Sequence, residues 1–335
     1  MLYYYIVMEK SFYINSITPV KVEKAPFTMD VDTRSFLIGS CFSENIYKIF
    51  YNYHLNSFNS PFGSIYNPIS IAQSLKRLIH AELITKEECI ISDGLYQHFD
   101  FHSKVGDTSI NNYIEKINSS IKESSIKLLN SDLLIITLGT AFTYQRDGRS
   151  VNNCHKQPKS EFNRRVLEIE EIVKALETPL IELKKRNNRL NIVLTLSPVR
   201  HLRDDPKENS LSKAVLRVAI DKIVKDLDIY YFPSYEILLD ELRDYRWYDE
   251  SLNHPSSRAI EYITQKFFFA TSSNGLNQYL EKIQKLNSML SHRIINPGSE
   301  TSQKFIKTRD RLLLELQREY YYLENLKGIR SSQYL

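Results

Sequence analysis

Short runs of consecutive apolar residues alternate along the chain with longer segments in which apolar residues recur every three or four positions. An uninterrupted apolar run is typical of a strand buried on both faces of a parallel sheet, and the longer spacing is typical of an amphipathic helix. Strands are predicted at 36–38, 54–59, 132–138, 190–196 and 229–232, and helices at 43–50, 67–79, 107–130, 168–185, 208–227, 235–243 and 255–267. This alternation predicts an α/β fold with a parallel sheet.

A glycine and a serine directly follow the first predicted strand. Gly39 ends the strand, and Ser43 with Glu44 is predicted to begin the next helix, so Ser40 lies at the carboxyl end of the strand. Open α/β sheets hold their ligands and catalytic groups at this edge, where backbone N–H groups can stabilise an oxyanion. Ser40 is therefore a candidate nucleophile. The alternative is an ordinary turn residue, because the sequence has no G-x-S-x-G elbow at this point.

Further candidates lie in the loops. Gly63 either brings a backbone N–H to an oxyanion or simply permits a turn. Arg200 follows a strand and either clamps an anionic or polar group or pairs with Asp204 or Asp205. His254 directly precedes a predicted helix, and a general base at this place can reach back over the sheet edge.

Composition narrows the range of functions. The 335 residues have a net charge of +4, which is too small to indicate binding to nucleic acid or to a membrane surface. The three cysteines have no spacing typical of disulfide frameworks or zinc sites, so we expect no metal and a cytoplasmic, reducing environment. No apolar run approaches the roughly 20 residues that a membrane span needs.

Several segments together resemble the GSCFA family, a bacterial family grouped with the SGNH/GDSL hydrolases. The segment 39–43 reads Gly-Ser-Cys-Phe-Ser, and further matching segments follow in family order at 61–68, 137–140, 153–156, 197–201, 208–214, 232–236 and 254–256. The resemblance covers residues 12–270. It implies a three-layer α/β/α hydrolase of the SGNH type, flavodoxin-like in its sheet, with a Ser–His centre that acts on esters without a cofactor.

The resemblance also implies where an oxyanion would bind. The backbone N–H of Ser40 and Gly63 are the expected donors. SGNH enzymes add an asparagine amide at the end of the third matching segment, but Ala141 stands at that position. Thr140 or Asn67 would then have to replace the missing donor.

The catalytic base shows a second departure. In SGNH enzymes an aspartate three residues before the histidine orients the imidazole, but Ser251 stands three residues before His254. Asp249 or Glu250 would have to take this role, or the site is a Ser–His dyad, or it is impaired. Four substrate contacts are also expected, at Asn67, His155, Arg200 and His201.

The composition changes from residue 272 onward to long charged helices, predicted at 276–290 and 300–326. We therefore expect a hydrolase-like domain at 12–271 and a helical hairpin at 272–335. The hairpin is expected to pack on the domain, cap its cleft or form a homo-oligomer surface. The sequence leaves two functions open. One is an esterase acting on an ester of a small molecule, a glycan or a cell-envelope component, and the other is a catalytically impaired binding or scaffold module on the same fold.

Overall fold

The computed structural model describes residues 17–201, 204–323, 326 and 329. Its strands are β1 (Ser35–Gly39), β2 (Ser57–Asn59), β3 (Ile90–Ser92), β4 (Leu95–Gln97), β5 (Leu133–Leu138), β6 (Phe142–Arg146), β7 (Arg149–Val151), β8 (Asn163–Val166), β9 (Asn191–Leu196) and β10 (Tyr230–Phe232). Its longer helices are α1 (Cys41–Asn52), α2 (Pro68–His80), α3 (Ile110–Leu129), α4 (Ile169–Arg186), α5 (Pro206–Leu227), α6 (Ser257–Thr271), α7 (Asn274–Ser291) and α8 (Glu300–Glu319). The outer limits of both predicted domains, residues 12 and 335, lie outside the described residues.

Five strands form one parallel sheet in the order β10-β9-β5-β1-β2, which confirms the α/β prediction. A β3–β4 hairpin and a small antiparallel sheet of β7, β6 and β8 lie outside it. In the central strands Gly39 pairs with Thr137, and Thr137 pairs with Thr195. The carboxyl ends of β1, β5 and β9 therefore meet at one edge of the sheet.

Alternate side chains of the central strands enter two separate cores. Phe36 and Ile38 lie in a core covered by α2, α3, α4 and α5. Leu37, between them, lies in a core shared with α1, α6, α7 and α8. Side chains of a strand point alternately to the two faces of its sheet, so each face is covered by its own set of helices. The architecture is three layers, α/β/α, with a helical C-terminal region.

The two C-terminal helices pack against the α1 side of the sheet. Leu276, Ile283 and Leu316 are fully buried in the same core as Phe50 of α1. The Tyr279 hydroxyl donates to the main-chain oxygen of Tyr53, 2.8 Å away, immediately after α1. Within the described part of the chain, no helix has both the length and the apolar character to cross a lipid bilayer.

Several predicted boundaries are wrong, because tertiary contacts override local signals. Helix α1 begins at Cys41, with Ser40 as its N-cap, and not at Ser43. By contrast, the helix predicted at 168–185 forms as α4, which runs through the buried Pro179 and continues to Arg186. Helix α8 ends at Glu319, seven residues earlier than the predicted end at 326. The segment predicted as a helix at 235–243 forms a helical turn, Ser234–Glu236, followed by a π-helical turn, Ile237–Glu241.

Outside the sheet edge, a buried carboxylate holds two arginines together. The Asp100 side chain is 4% exposed, and its Oδ2 accepts hydrogen bonds from Arg77 Nε (3.2 Å) and from an Arg149 guanidinium nitrogen (2.7 Å). We predict that Asp100→Asn lowers the free energy of unfolding by about 3 kcal/mol, because the nearly buried Arg77 loses its charge partner. Urea denaturation measures this change.

Asp93→Asn is the matched control. Its carboxylate pairs with Lys156 at 3.1 Å, but both side chains are more than 70% exposed. An exposed pair contributes little, so we expect a change below about 1 kcal/mol. Equal losses in the two variants would contradict the role assigned to the buried pair.

Candidate active site

Ser40 lies at the junction of β1 and α1 with its hydroxyl unused by the fold. Its N–H donates to the Thr137 carbonyl oxygen at 3.1 Å, which continues the β1–β5 pairing by one residue. An N-cap serine usually accepts a hydrogen bond from the first helical turn, but this side chain makes no capping bond. Ser40 is fully buried, and its Oγ has no hydrogen-bond partner among the described residues. An unsatisfied buried hydroxyl is costly, so it suggests a functional reason.

The end of β5 lies directly against Ser40. A Cβ placed on Gly139 would be 3.2 Å from the Ser40 Cβ and 3.1 Å from the Tyr66 carbonyl oxygen. The N–H groups of Gly139 and Thr140 both donate to that carbonyl, at 2.8 and 3.0 Å. The loop after β2 therefore crosses the end of β5 beside Ser40, and Gly139 leaves the space for both.

A buried lysine joins the ends of β5 and β9. Lys213, on α5, donates from its Nζ to the carbonyl oxygens of Gly139 (2.6 Å) and Ser197 (2.7 Å). Burial lowers the pKa of Lys213 to about 7, since the ammonium has left water. At and below about pH 7, a positively charged side chain is therefore buried at the sheet edge that carries Ser40.

His201 is a buried imidazole in the same place. Its ring meets the Tyr66 ring edge-on, with centroids 5.4 Å apart, and its Nε2 has no partner in the described part of the chain. Burial lowers the pKa of His201 to about 4, and the positive charge of Lys213 also acts to lower it. The imidazole is therefore neutral at neutral pH.

His254 lies in a half-exposed loop with a hydroxyl and a carboxylate on one side. Its Nδ1 is 3.3 Å from the Ser251 Oγ and 3.7 Å from Asp249 Oδ2. The Ser251 hydroxyl donates to Asp249 Oδ1 at 2.5 Å, and this bond is the main reason that the pKa of Asp249 is lowered. The Asp249 N–H donates to the His254 carbonyl at 2.9 Å, which closes the loop.

A backbone hydrogen bond and charge interactions link the His254 loop to residues at the sheet edge. The Arg200 N–H donates to the Asn253 carbonyl at 2.9 Å, so the segment after β9 is bonded to the His254 loop. The charge of His254 acts on the pKa of His201, and the charge of Lys213 acts on the pKa of Cys41, next to Ser40. The His254 loop thus lies beside the carboxyl end of β9, at the same edge of the sheet as Ser40.

The family model described as GSCFA family matches residues 34–267, which is more than half of the chain. The chain belongs to the GSCFA family. The matched span runs from the residue before β1 into α6, and it contains the whole cluster at the sheet edge. A comparison with curated proteins returns no match for this chain.

In this GSCFA chain two predicted oxyanion donors already have partners. The Thr140 hydroxyl lies 3.0 Å from the Ser212 hydroxyl and accepts from the Phe142 N–H at 3.1 Å. The Asn67 side chain caps α2, with its amide oxygen and nitrogen both bonded to Ser70 at 2.9 and 3.0 Å. Both side chains stabilise the fold at these positions.

Gly63 and His155 make their described contacts with residues other than Ser40. Gly63 has φ +77°, and a Cβ there would be 2.7 Å from the His102 Cβ, so the turn itself requires glycine. The His155 Nε2 is 2.8 Å from the His98 carbonyl, and its ring packs against Phe99. The structure brings neither residue into a described contact with Ser40.

Arg200 faces solvent beside the His254 loop, with its guanidinium 5.9 Å from the Tyr248 ring centroid. The alternative of an ion pair with the acidic residues that follow is wrong: Asp204 pairs with Arg164, and Asp205 caps α5. Arg200 therefore remains a candidate contact for an anionic substrate group.

Sequence reasoning missed Lys213 and the position of Ser251. Lys213 lies within a segment that matches the family, but a lysine in an amphipathic helix gives no local sign of complete burial. From the sequence, Ser251 is only a position where the expected aspartate is absent. In the structure its hydroxyl contacts both Asp249 and His254. Among the described residues no group of three or more histidine, cysteine, aspartate or glutamate side chains is arranged to hold a metal ion.

Proposed function

We propose that this protein is a serine esterase or acyl hydrolase of the SGNH type, with Ser40 as nucleophile and His254 as base. The observation that carries the proposal is the unbonded Ser40 hydroxyl, held at the same sheet edge as an imidazole–hydroxyl–carboxylate series. The expected substrate is an ester of a small molecule or a glycan.

In the proposed reaction the Ser40 Oγ attacks the ester carbonyl carbon while His254 removes its proton. His254 then gives this proton to the departing alcohol, which leaves an acyl group on Ser40. In the second half of the reaction, His254 takes a proton from a water molecule, and the resulting hydroxide attacks the acyl carbon. The carboxylic acid leaves, and His254 returns the proton to the Ser40 Oγ. Ser251 and Asp249 hold the imidazole through Nδ1 and stabilise its positive charge.

The oxyanion donors differ from those expected from the resemblance. The Ser40 N–H is bonded to Thr137, and the Ser43 N–H is bonded to the Ser40 carbonyl at 2.8 Å. The N–H groups of Cys41 and Phe42 open α1, where a helix offers no internal acceptor. We assign the oxyanion to these two donors, which also lie at the positive end of the α1 dipole.

A binding or scaffold module on the same fold is the second candidate. The complete burial of Ser40 favours it, because an ester reaches the hydroxyl only if covering groups move. Ala141 also favours it: this residue offers no side-chain donor, and its N–H is bonded to the Ser212 hydroxyl at 2.7 Å.

Treatment with a fluorophosphonate, followed by peptide mass spectrometry, separates the two candidates. An esterase is expected to carry the adduct on Ser40. Ser43 supplies an internal control, because its hydroxyl is also buried and has no partner in the described chain. Failure to find an adduct on Ser40, together with p-nitrophenyl acetate turnover no higher than in Ser40→Ala, would favour the scaffold.

A further inference from the structure

The mechanism above leaves the charge of Lys213 unused. Its Nζ is fully buried and donates to two carbonyl oxygens, and neither bond is to a carboxylate. A buried ammonium with only neutral partners in hydrogen-bond contact destabilises a fold, and carbonyls alone do not require a charged donor. The position therefore needs a reason beyond joining two strands.

We propose that Lys213 is a positioning residue for the Ser40 reaction: it fixes the end of β5 against Ser40 and supplies positive charge where the oxyanion forms. This role rests on the proposed function. Lys213 fixes the end of β5 through one hydrogen bond, to the carbonyl oxygen of Gly139. Gly139 is the residue of this strand end that lies against Ser40.

Cys41, next to Ser40, interacts with two opposite charges. Burial raises the pKa of the Cys41 thiol to about 11 and the Glu44 carboxylate also acts to raise it, while the charge of Lys213 acts in the opposite direction and favours the thiolate. The Cys41 N–H is one of the two donors assigned to the oxyanion. A charge that favours an anion on the side chain of Cys41 also favours an anion bound at its backbone.

The groups that face Lys213 come from several elements. Three of them interact electrostatically with Lys213: Cys41, His201 and Asp204. The fourth is Tyr235, whose ring centroid lies 5.8 Å from the Lys213 Nζ. Asp204 pairs with Arg164, so its charge is already opposed by a guanidinium. Lys213 is bonded directly to the sheet edge that carries Ser40, through the carbonyl oxygen of Gly139.

The sign of the pH dependence follows from burial. The pKa of Lys213 is lowered to about 7, so the charge is present below this pH and is lost above it. Labelling of Ser40 by a fluorophosphonate is therefore expected to slow as pH rises from about 7 to about 9. An arginine keeps its charge over this range, so Lys213→Arg is expected to remove the alkaline decrease.

The test compares the fluorophosphonate labelling rates of Ser40 in wild type, Lys213→Met and Lys213→Arg. Methionine keeps the length of the side chain without charge, and we expect labelling about 10²-fold slower at about pH 6. Lys225→Met is the matched control, because Lys225 lies on the same helix, is 74% exposed and pairs with Asp221. This control is expected to label like wild type at every pH.

Each outcome decides the proposal. A folded Lys213→Met variant that labels at the wild-type rate would overturn the role of Lys213 and leave the esterase intact. If that variant does not fold, the wild-type profile decides, and a rate that does not fall above about pH 7 would overturn the charge role. A wild type that is never labelled at Ser40 would remove the proposed function, and this role with it.

Discussion

Ser40→Ala is expected to lower ester turnover by at least about 10³-fold while leaving the fold intact. The hydroxyl is the proposed nucleophile, and it makes no hydrogen bond in the described chain that the substitution would break. Removing a buried polar atom without a partner relieves a desolvation cost, so we expect the free energy of unfolding to rise by up to about 1 kcal/mol. Hydrolysis of p-nitrophenyl acetate and urea denaturation measure the two effects.

Ser43→Ala is the matched control for this substitution. Ser43 lies in the same motif and is buried with an unpartnered hydroxyl in the described structure, but it is the third residue of α1 and does not lie at the end of β1. We expect a similar gain in stability with turnover unchanged. Loss of turnover in both variants, or in neither, would contradict the assignment of Ser40.

His254→Ala is expected to cost a similar factor, about 10³-fold in turnover, since His254 is the proposed acceptor of the Ser40 proton. Asp249→Asn is expected to cost less, because the carboxylate acts on Nδ1 from 3.7 Å and partly through Ser251. His80→Ala is the control: this imidazole is also about 42% exposed and lies 3.3 Å from a carboxylate, that of Glu182. A His254→Ala variant with wild-type turnover would exclude the proposed base.

Gly39→Ala is expected to lower the free energy of unfolding by more than about 4 kcal/mol, so that little folded protein is recovered. An added Cβ would lie 2.2 Å from the Thr137 carbonyl oxygen and 2.8 Å from the Thr137 nitrogen. These are backbone atoms of the neighbouring strand, so they cannot move aside without opening the β1–β5 pairing. The glycine also has φ +142°, which L-residues rarely adopt.

Gly148→Ala and Gly94→Ala separate the clash from the backbone strain. Both glycines have positive φ, +78° and +74°, but an added Cβ meets nothing within 4 Å. We expect these variants to lose about 1 kcal/mol each in urea denaturation. If Gly39→Ala loses no more than they do, the close approach of β1 and β5 is not what requires glycine.

The sequence by itself determined the order and type of most elements. Apolar runs at 132–138 and 190–196 became β5 and β9 with shifts of one residue, because burial on both faces leaves a local and unambiguous pattern. Asn67 followed by Pro68 marked the start of α2 correctly, since a cap and a first-turn proline act through the neighbouring backbone.

Contacts between distant residues decided what the local pattern could not. Ser40 and Ser43 are both good N-caps, and the choice of Ser40 coincides with the bond from its N–H to Thr137 on β5, almost a hundred residues away. Lys213 is buried where its ammonium reaches the carbonyl oxygens at the ends of β5 and β9, which come from segments distant from it in the sequence or in another element.

The candidate site divides in the same way. The sequence determined that a serine lies at a strand end and a histidine before a helix, because strand and helix boundaries depend on residues within a few positions. The structure alone placed the Ser251 hydroxyl in contact with both Asp249 and His254, and gave the Thr140 and His155 side chains hydrogen-bond partners from distant parts of the chain. A hydrogen bond depends on ångström distances between chain segments that meet only after folding, and no local pattern of residue types encodes those distances.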